Sequence, residues 1–211
     1  MPLPRLYPIL DTASLAAKAL ALEPAARALI AGGAGILQLR HKGHWSRGLF
    51  EEASRIRRLC REAGVTLVIN DRADFALLLD AGLHVGQDDL PAQDARRLLG
   101  GQHLLGYSTH NAGQVRAGDA EPADYLALGP IFSTGSKPNP DPVVGLERLR
   151  QWRSLTQKPL VAIGGITRRT ARAVVQAGAD SVAVIGDLLP EPCTEDAVRE
   201  RMEQWRQLLS Q

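Results

Sequence analysis

Short apolar runs and stretches of helical spacing alternate along this chain from one end to the other. The apolar runs fall at 6–10, 36–42, 65–69, 83–87, 104–107, 125–128, 159–163 and 181–185. Between and after them, segments at 14–30, 46–63, 73–79, 91–99, 111–117, 146–155, 170–176 and 194–209 read as helices, the fifth only weakly. Ser46 and Thr194 stand where N-caps belong, and Gly64 and Gly178 where helices close. A helix after every strand makes neighbouring strands parallel, because antiparallel neighbours need only a tight turn. Eight such units in 211 residues predict an α/β chain folded as a single (β/α)8, or TIM, barrel over residues 1–211. No Pro/Ser-rich linker or break in composition divides it. The alternative, an open doubly wound sheet, usually carries a glycine-rich phosphate fingerprint after its first strand, and Asp11-Thr12-Ala13-Ser14 is not one.

The second run is the odd one. Gln38, Arg40 and Lys42 alternate within it, so a strand points all three to one face. Two cations on an inner face are costly without anionic partners; on a solvated edge strand they would cost nothing, and the seven residues alone leave both readings open. Barrels place their active sites at the C-terminal ends of the strands. Those ends carry Gln38/Arg40/Lys42, Asn70-Asp71, Gln87/Asp89, Ser108/His110, Thr134/Ser136/Lys137, Gly164-Gly165 and Ile185-Gly186. Asp71 and Asp89, with phosphate oxygens and water, suit Mg2+, a hard cation that needs few protein ligands. Asp71 paired with Arg72 or Arg40, and Asp89 capping the helix after Pro91, are the structural alternatives. Arg40, Lys42 and Lys137 would balance a diphosphate, with Arg40 expected as a lone cation facing an anion. Lys137 lies in a proline-rich loop, 133–144, long enough to serve as a lid. Glycines at the ends of the last two strands allow backbone N–H groups to approach a phosphate. His84 is expected as a hydrogen-bonded core residue and His110 as a candidate acid/base; His41, His44 and His103 read as loop or surface residues.

A formal net charge of +2 gives no electrostatic case for a nucleic-acid partner. No apolar run reaches the ~18 residues of a membrane span. Residues 1–5 lack the charged head and apolar stretch of a signal peptide, and Cys60 and Cys193 fit no metal or redox spacing, so a cytoplasmic location is expected.

Seven stretches, in order, carry a resemblance: Gln38-Leu39-Arg40-His41-Lys42, Ile69-Asn70-Asp71-Arg72, His84-Val85-Gly86-Gln87-Asp88-Asp89, Gly106-Tyr107-Ser108-Thr109-His110, the run from Gly129 to Lys137, Ala162-Ile163-Gly164-Gly165-Ile166 and Ala177-Gly178-Ala179-Asp180. Over nearly its whole length the chain resembles the thiamine phosphate synthase family. The resemblance implies a transferase that joins hydroxymethylpyrimidine diphosphate to thiazole phosphate and releases diphosphate. It implies that Gln38, Arg40, Lys42, Asn70, Ser108 and Lys137 hold the pyrimidine diphosphate, with Arg40, Lys42, Ser108 and Lys137 the catalytic set. Asp71 and Asp89 would bind Mg2+, and Thr134, Ser136, Gly165, Ile185 and Gly186 would lie at the thiazole phosphate. The partners implied are small-molecule substrates; homo-oligomerisation stays open. Where the family usually has serine, this chain has Gly186, which keeps a backbone N–H and loses a hydroxyl. Two alternatives stand beside the synthase: a related thiazole tautomerase, and a non-catalytic barrel that binds phosphates of the same pathway.

Overall fold

The computed structural model describes residues 3–135 and 141–210. Among them the chain runs β1 (Leu6–Asp11), α1 (Thr12–Ala17), α2 (Leu22–Ala31), β2 (Ile36–Arg40), α3 (Arg47–Glu62), β3 (Thr66–Asn70), α4 (Ala73–Leu78), β4 (Gly82–Val85) and α5 (Ala92–Leu99). It continues through β5 (Leu105–Thr109), α6 (Ala112–Ala120), β6 (Tyr125–Leu128), α7 (Gly145–Trp152), β7 (Leu160–Ile163), α8 (Ala171–Gln176), β8 (Ser181–Val184) and α9 (Glu195–Leu209). Short 3-10 turns follow α7 (Arg153–Leu155) and β8 (Gly186–Leu188). The eight strands close in sequence order into one barrel, β8 pairing back to β1, and every pair is parallel. The chain is thus the expected (β/α)8 barrel. Among the described residues, no helix is long and apolar enough to cross a membrane.

Each strand is buried on both faces, which is why the strands read as unbroken apolar runs. Alternate residues divide between two cores. Outward-facing Leu37, Leu39, Leu67, Ile69, Leu126 and Leu160 pack under the helix ring, with Leu29, Ile56 and Trp205. Inward-facing Tyr7, Ile9, Ile36, Val68, Tyr125, Ala127, Val161 and Ala183 fill the barrel axis. Ser46 caps α3 by accepting from the Leu49 N–H at 3.2 Å, and Thr194 caps α9 by accepting from Ala197 at 3.2 Å, both as expected.

Among the boundaries that differ from expectation, two have a clear physical cause. The single helix expected over 14–30 is broken into α1 and α2, with Ala19 between them at φ 53. Pro24 explains the break: it has no N–H to give and its ring would collide with the carbonyl four residues back, so it fits the first turn of a new helix but not the middle of an old one. The strand expected over 36–42 ends at Arg40. Its pairing runs out there, with Asp11↔Arg40 on β1 and Leu39↔Ile69 on β3 as the last partners. Lys42 therefore stands above the sheet, on the loop.

Candidate active site

At the C-terminal mouth of the barrel the inner face opens into a cavity of about 830 Å3. Every strand contributes to its wall. Gln38, Arg40, Lys42, Asn70, Asp71, Asp89, Ser108, Thr134, Gly165, Ile185 and Gly186 all line it, so the residues picked out along the sequence converge on one site. Ser136 and Lys137 lie outside the described residues. The edge-strand reading of β2 fails, because β2 lies between β1 and β3 in a closed sheet.

Gln38 is buried, and its Nε2 donates to Tyr7 Oη at 3.1 Å. Arg40 is not the lone cation expected. Its guanidinium donates to the Asp11 carboxylate, which is 3% exposed. The other oxygen of Asp11 accepts from the Ser14 N–H at 2.8 Å and the Ser14 hydroxyl at 2.7 Å, capping α1. The pairing follows from register, since Asp11 and Arg40 are opposite each other on adjacent strands. Lys42, half exposed, reaches Asp71 at 2.5 Å. Neither alternative partner of Asp71 is taken: Arg72 pairs with Asp74 and stacks over Phe75.

Asp71 leaves β3 in the left-handed region, φ 65, where Asp is among the few side chains tolerated. Its N–H is held by the His84 carbonyl at 2.8 Å. Asp89 does not cap α5; it accepts from the Gly86 N–H at 2.7 Å, which turns it back toward Asp71. Burial, and the adjoining Asp89 carboxyl, push Asp71 above the ordinary carboxylate range against the downward pull of Lys42. Two carboxyls held this close are under-compensated by one lysine, which suits a divalent cation. Among the described residues no cluster of three or more His, Cys, Asp or Glu is placed to hold a metal ion. A cation on these two oxygen donors must draw its other ligands from substrate and water, as Mg2+ does. Beside them Asn70 is 6% exposed, and its Nδ2 has no hydrogen-bond partner among the described residues. Buried donors are seldom left so, and this one borders the cavity.

The opposite wall is backbone. Gly165 has φ 63, and a Cβ there would lie 2.4 Å from the Ser133 carbonyl oxygen, so only glycine brings the β7 loop this close to the β6 loop. At Gly186 no described residue lies within 4 Å of the Cβ position, so none of them excludes the missing hydroxyl by space. His110 gives its Nδ1–H to the Gly129 carbonyl at 2.6 Å and stands 3.5 Å from Asp141.

Sequence reasoning passed over the tyrosines. His84 is the expected hydrogen-bonded core residue, but its partners are Tyr125 Oη at 2.9 Å on Nδ1 and Ser108 Oγ at 2.8 Å on Nε2. Tyr125 Oη in turn meets Tyr7 Oη at 2.9 Å. The available signal was two phenols inside apolar strands, since a buried hydroxyl needs a partner.

Comparison with known proteins agrees with this geometry. A family model described as thiamine monophosphate synthase matches residues 6–188. A thiamine-phosphate synthase of Koribacter versatilis is 49% identical, covering 98% of this chain and 96% of that protein. One from Chloroflexus aurantiacus is 45% identical over 82% of this chain and 80% of that protein. Among solved structures, a thiamine phosphate pyrophosphorylase from Pyrococcus furiosus superposes with a TM-score of 0.84 at 31% identity, covering 98% of this chain and 95% of that one. A family model that spans nearly the whole barrel, and relatives close to half identical along it, lead to one conclusion: the chain belongs to the thiamine monophosphate synthase family.

Proposed function

We propose that this chain is the enzyme that joins hydroxymethylpyrimidine diphosphate to thiazole phosphate, giving thiamine phosphate and diphosphate. The observation that carries the reading is the buried Asn70 Nδ2, unpartnered among the described residues, beside the Lys42–Asp71–Asp89 cluster and inside a cavity large enough for two small substrates. A buried amide donor, cations and close-set carboxyls on one wall suit a diphosphate with its counter-ion. The glycine-lined wall opposite suits the phosphate of the second substrate.

In this reading Asn70, Lys42 and Arg40 grip the diphosphate, while Gln38 and Ser108 orient the rest of the first substrate. Asp71 and Asp89 would hold Mg2+, which when bound supplies positive charge against the leaving diphosphate. The methylene carbon–oxygen bond breaks with its electron pair going to the diphosphate. The pyrimidine ring spreads the positive charge left on the methylene carbon, and the lone pair of the thiazole nitrogen closes the new carbon–nitrogen bond. No proton is removed from that nitrogen, so no general base is needed. His110, its Nδ1–H committed to the Gly129 carbonyl, is placed as a wall residue. What the residues provide is preorganised charge for a leaving group.

The test is direct. Purified protein is mixed with both substrates and Mg2+, and thiamine phosphate and diphosphate are measured. Equal amounts of both products, lost on chelation of the metal, are expected; no product above a protein-free control would refute the reading.

A further inference from the structure

Five side chains from five strands are linked through the barrel interior: Gln38 on β2, Tyr7 on β1, Tyr125 on β6, His84 on β4 and Ser108 on β5, with joints of 3.1, 2.9, 2.9 and 2.8 Å. All five border the cavity; Gln38, Tyr7, Tyr125 and His84 are buried and Ser108 is half-buried. Their rings are fixed by packing: Tyr7 and Tyr125 meet edge-on at 5.9 Å, and His84 stacks on Tyr125 at 5.6 Å. Space for the Tyr125–His84 joint is left by Gly106, where a Cβ would lie 2.3 Å from Tyr125 Oη and 2.4 Å from His84 Nδ1.

Proton counting gives this chain a direction. Gln38 Nε2 donates to Tyr7 Oη, so the single Tyr7 proton goes to Tyr125 Oη. The Tyr125 proton then goes to His84 Nδ1. A neutral imidazole accepting at Nδ1 carries its hydrogen on Nε2 and donates it to Ser108 Oγ. The Ser108 proton is left to point into the cavity, and Gln38 Oε1 is left as an acceptor. Turning the amide over reverses every joint: Tyr7 donates to Oε1, Tyr125 to Tyr7, His84 Nδ1–H to Tyr125, and Ser108 to Nε2. Any mixed arrangement either leaves a buried O–H proton without an acceptor, as when Tyr7 accepts from both neighbours, or sets two protons or two lone pairs against each other in a joint, and both are costly. Burial keeps the inner members neutral, pushing Tyr7 up to about 12, Tyr125 well above its ordinary value and His84 down to about 4.

We propose that Tyr7, Tyr125 and His84 are positioning residues that form a directional relay, tying the orientation of the Gln38 amide to the direction of the Ser108 hydroxyl. The site thus presents a fixed pair to its first substrate, an acceptor at Gln38 and a donor at Ser108. It favours a ligand that offers an N–H at one point and an anionic or lone-pair oxygen at the other. The substrate half of this statement rests on the proposed function; the relay does not.

The two are separated by experiment. In the intact, ligand-free protein, nitrogen NMR of the His84 ring reads its tautomer, with Nε2–H expected. Gln38→Glu puts a carboxylate that only accepts at the head of the chain, so the ring is expected to switch to Nδ1–H. Tyr7→Phe cuts the chain and is expected to leave a mixture of both tautomers; a response in either variant supports the relay. A His84 ring found as Nδ1–H in the parent protein, or unmoved by both substitutions, overturns it. In turnover, assayed well below the melting temperature, Tyr125→Phe is expected to lower kcat/KM about 10-fold; the melting temperature itself should fall by several degrees, because Tyr7 and His84 each lose a buried partner. Unchanged kcat/KM would overturn the link to substrate while leaving the NMR result to stand or fall by itself.

Discussion

Asp11 meets two demands at once: it neutralises Arg40 across the β1–β2 pair and caps α1 through Ser14. Removing Arg40 therefore does more than weaken an anion site, because it strands a buried carboxylate. Arg40→Ala is expected to lower stability by about 3–5 kcal/mol and turnover as well. Arg40→Ala with Asp11→Asn keeps the cap and removes the stranded charge. The double variant should recover part of the melting temperature and none of the turnover; recovery of both would show that Arg40 serves the fold alone. His84 sets a pH limit of a different kind. Burial holds its pKa near 4, against about 6.5 in the unfolded chain. Between those values the unfolded state binds the extra proton, so stability is full above pH 6.5 and falls as pH drops toward 4. The loss amounts to about 3 kcal/mol. Denaturant titrations at pH 7 and pH 4.5 should show it, and His84→Asn should flatten that part of the profile.

At the scale of elements, β5 carries the tightest constraint. A methyl group at Gly106 would overlap both Tyr125 and His84, so Gly106→Ala is expected to cost about 1–3 kcal/mol through forced ring displacement, read in a thermal melt; an unchanged midpoint would mean that β5 can shift aside. The elements also show what was legible in the sequence. All eight strands, the closure of the barrel and the polar strand ends could be read, because unbroken apolar runs and cap residues are local signals. The split between α1 and α2 was local too, written in Pro24, but the Ala- and Leu-rich spacing around it hid the break. Contacts set by register could not be read. Arg40 and Asp11 are 29 residues apart, and Tyr7 and Tyr125 are 118 apart; only the closed sheet brings each pair together. The same holds for Asp71, whose alternative partners along the sequence were Arg72 and Arg40 and whose partner in the fold is Lys42.

For the molecule as a whole, the site is a rim on a rigid frame, and ligands that bind the rim should stabilise the frame. Inorganic diphosphate with Mg2+ is expected to raise the melting temperature by several degrees at concentrations well above Kd, about 2.7 kcal/mol at a hundredfold excess. Asp71→Asn should remove the metal-dependent part of that rise; a full rise in the variant would place the ion elsewhere. The division of every strand between an inner and an outer core has a further consequence, for how a chain like this changes over evolutionary time. One residue inserted into β2 would exchange Gln38 and Arg40 with Leu37 and Leu39, putting leucines in the cavity and a charge beneath the helices. Within the strands, insertions and deletions are thus forbidden in odd steps, and the site can drift only by substitution. Changes in length are left to the loops above the rim, such as the one after Phe132, where new substrate contacts can be added without disturbing the frame that reads the old ones.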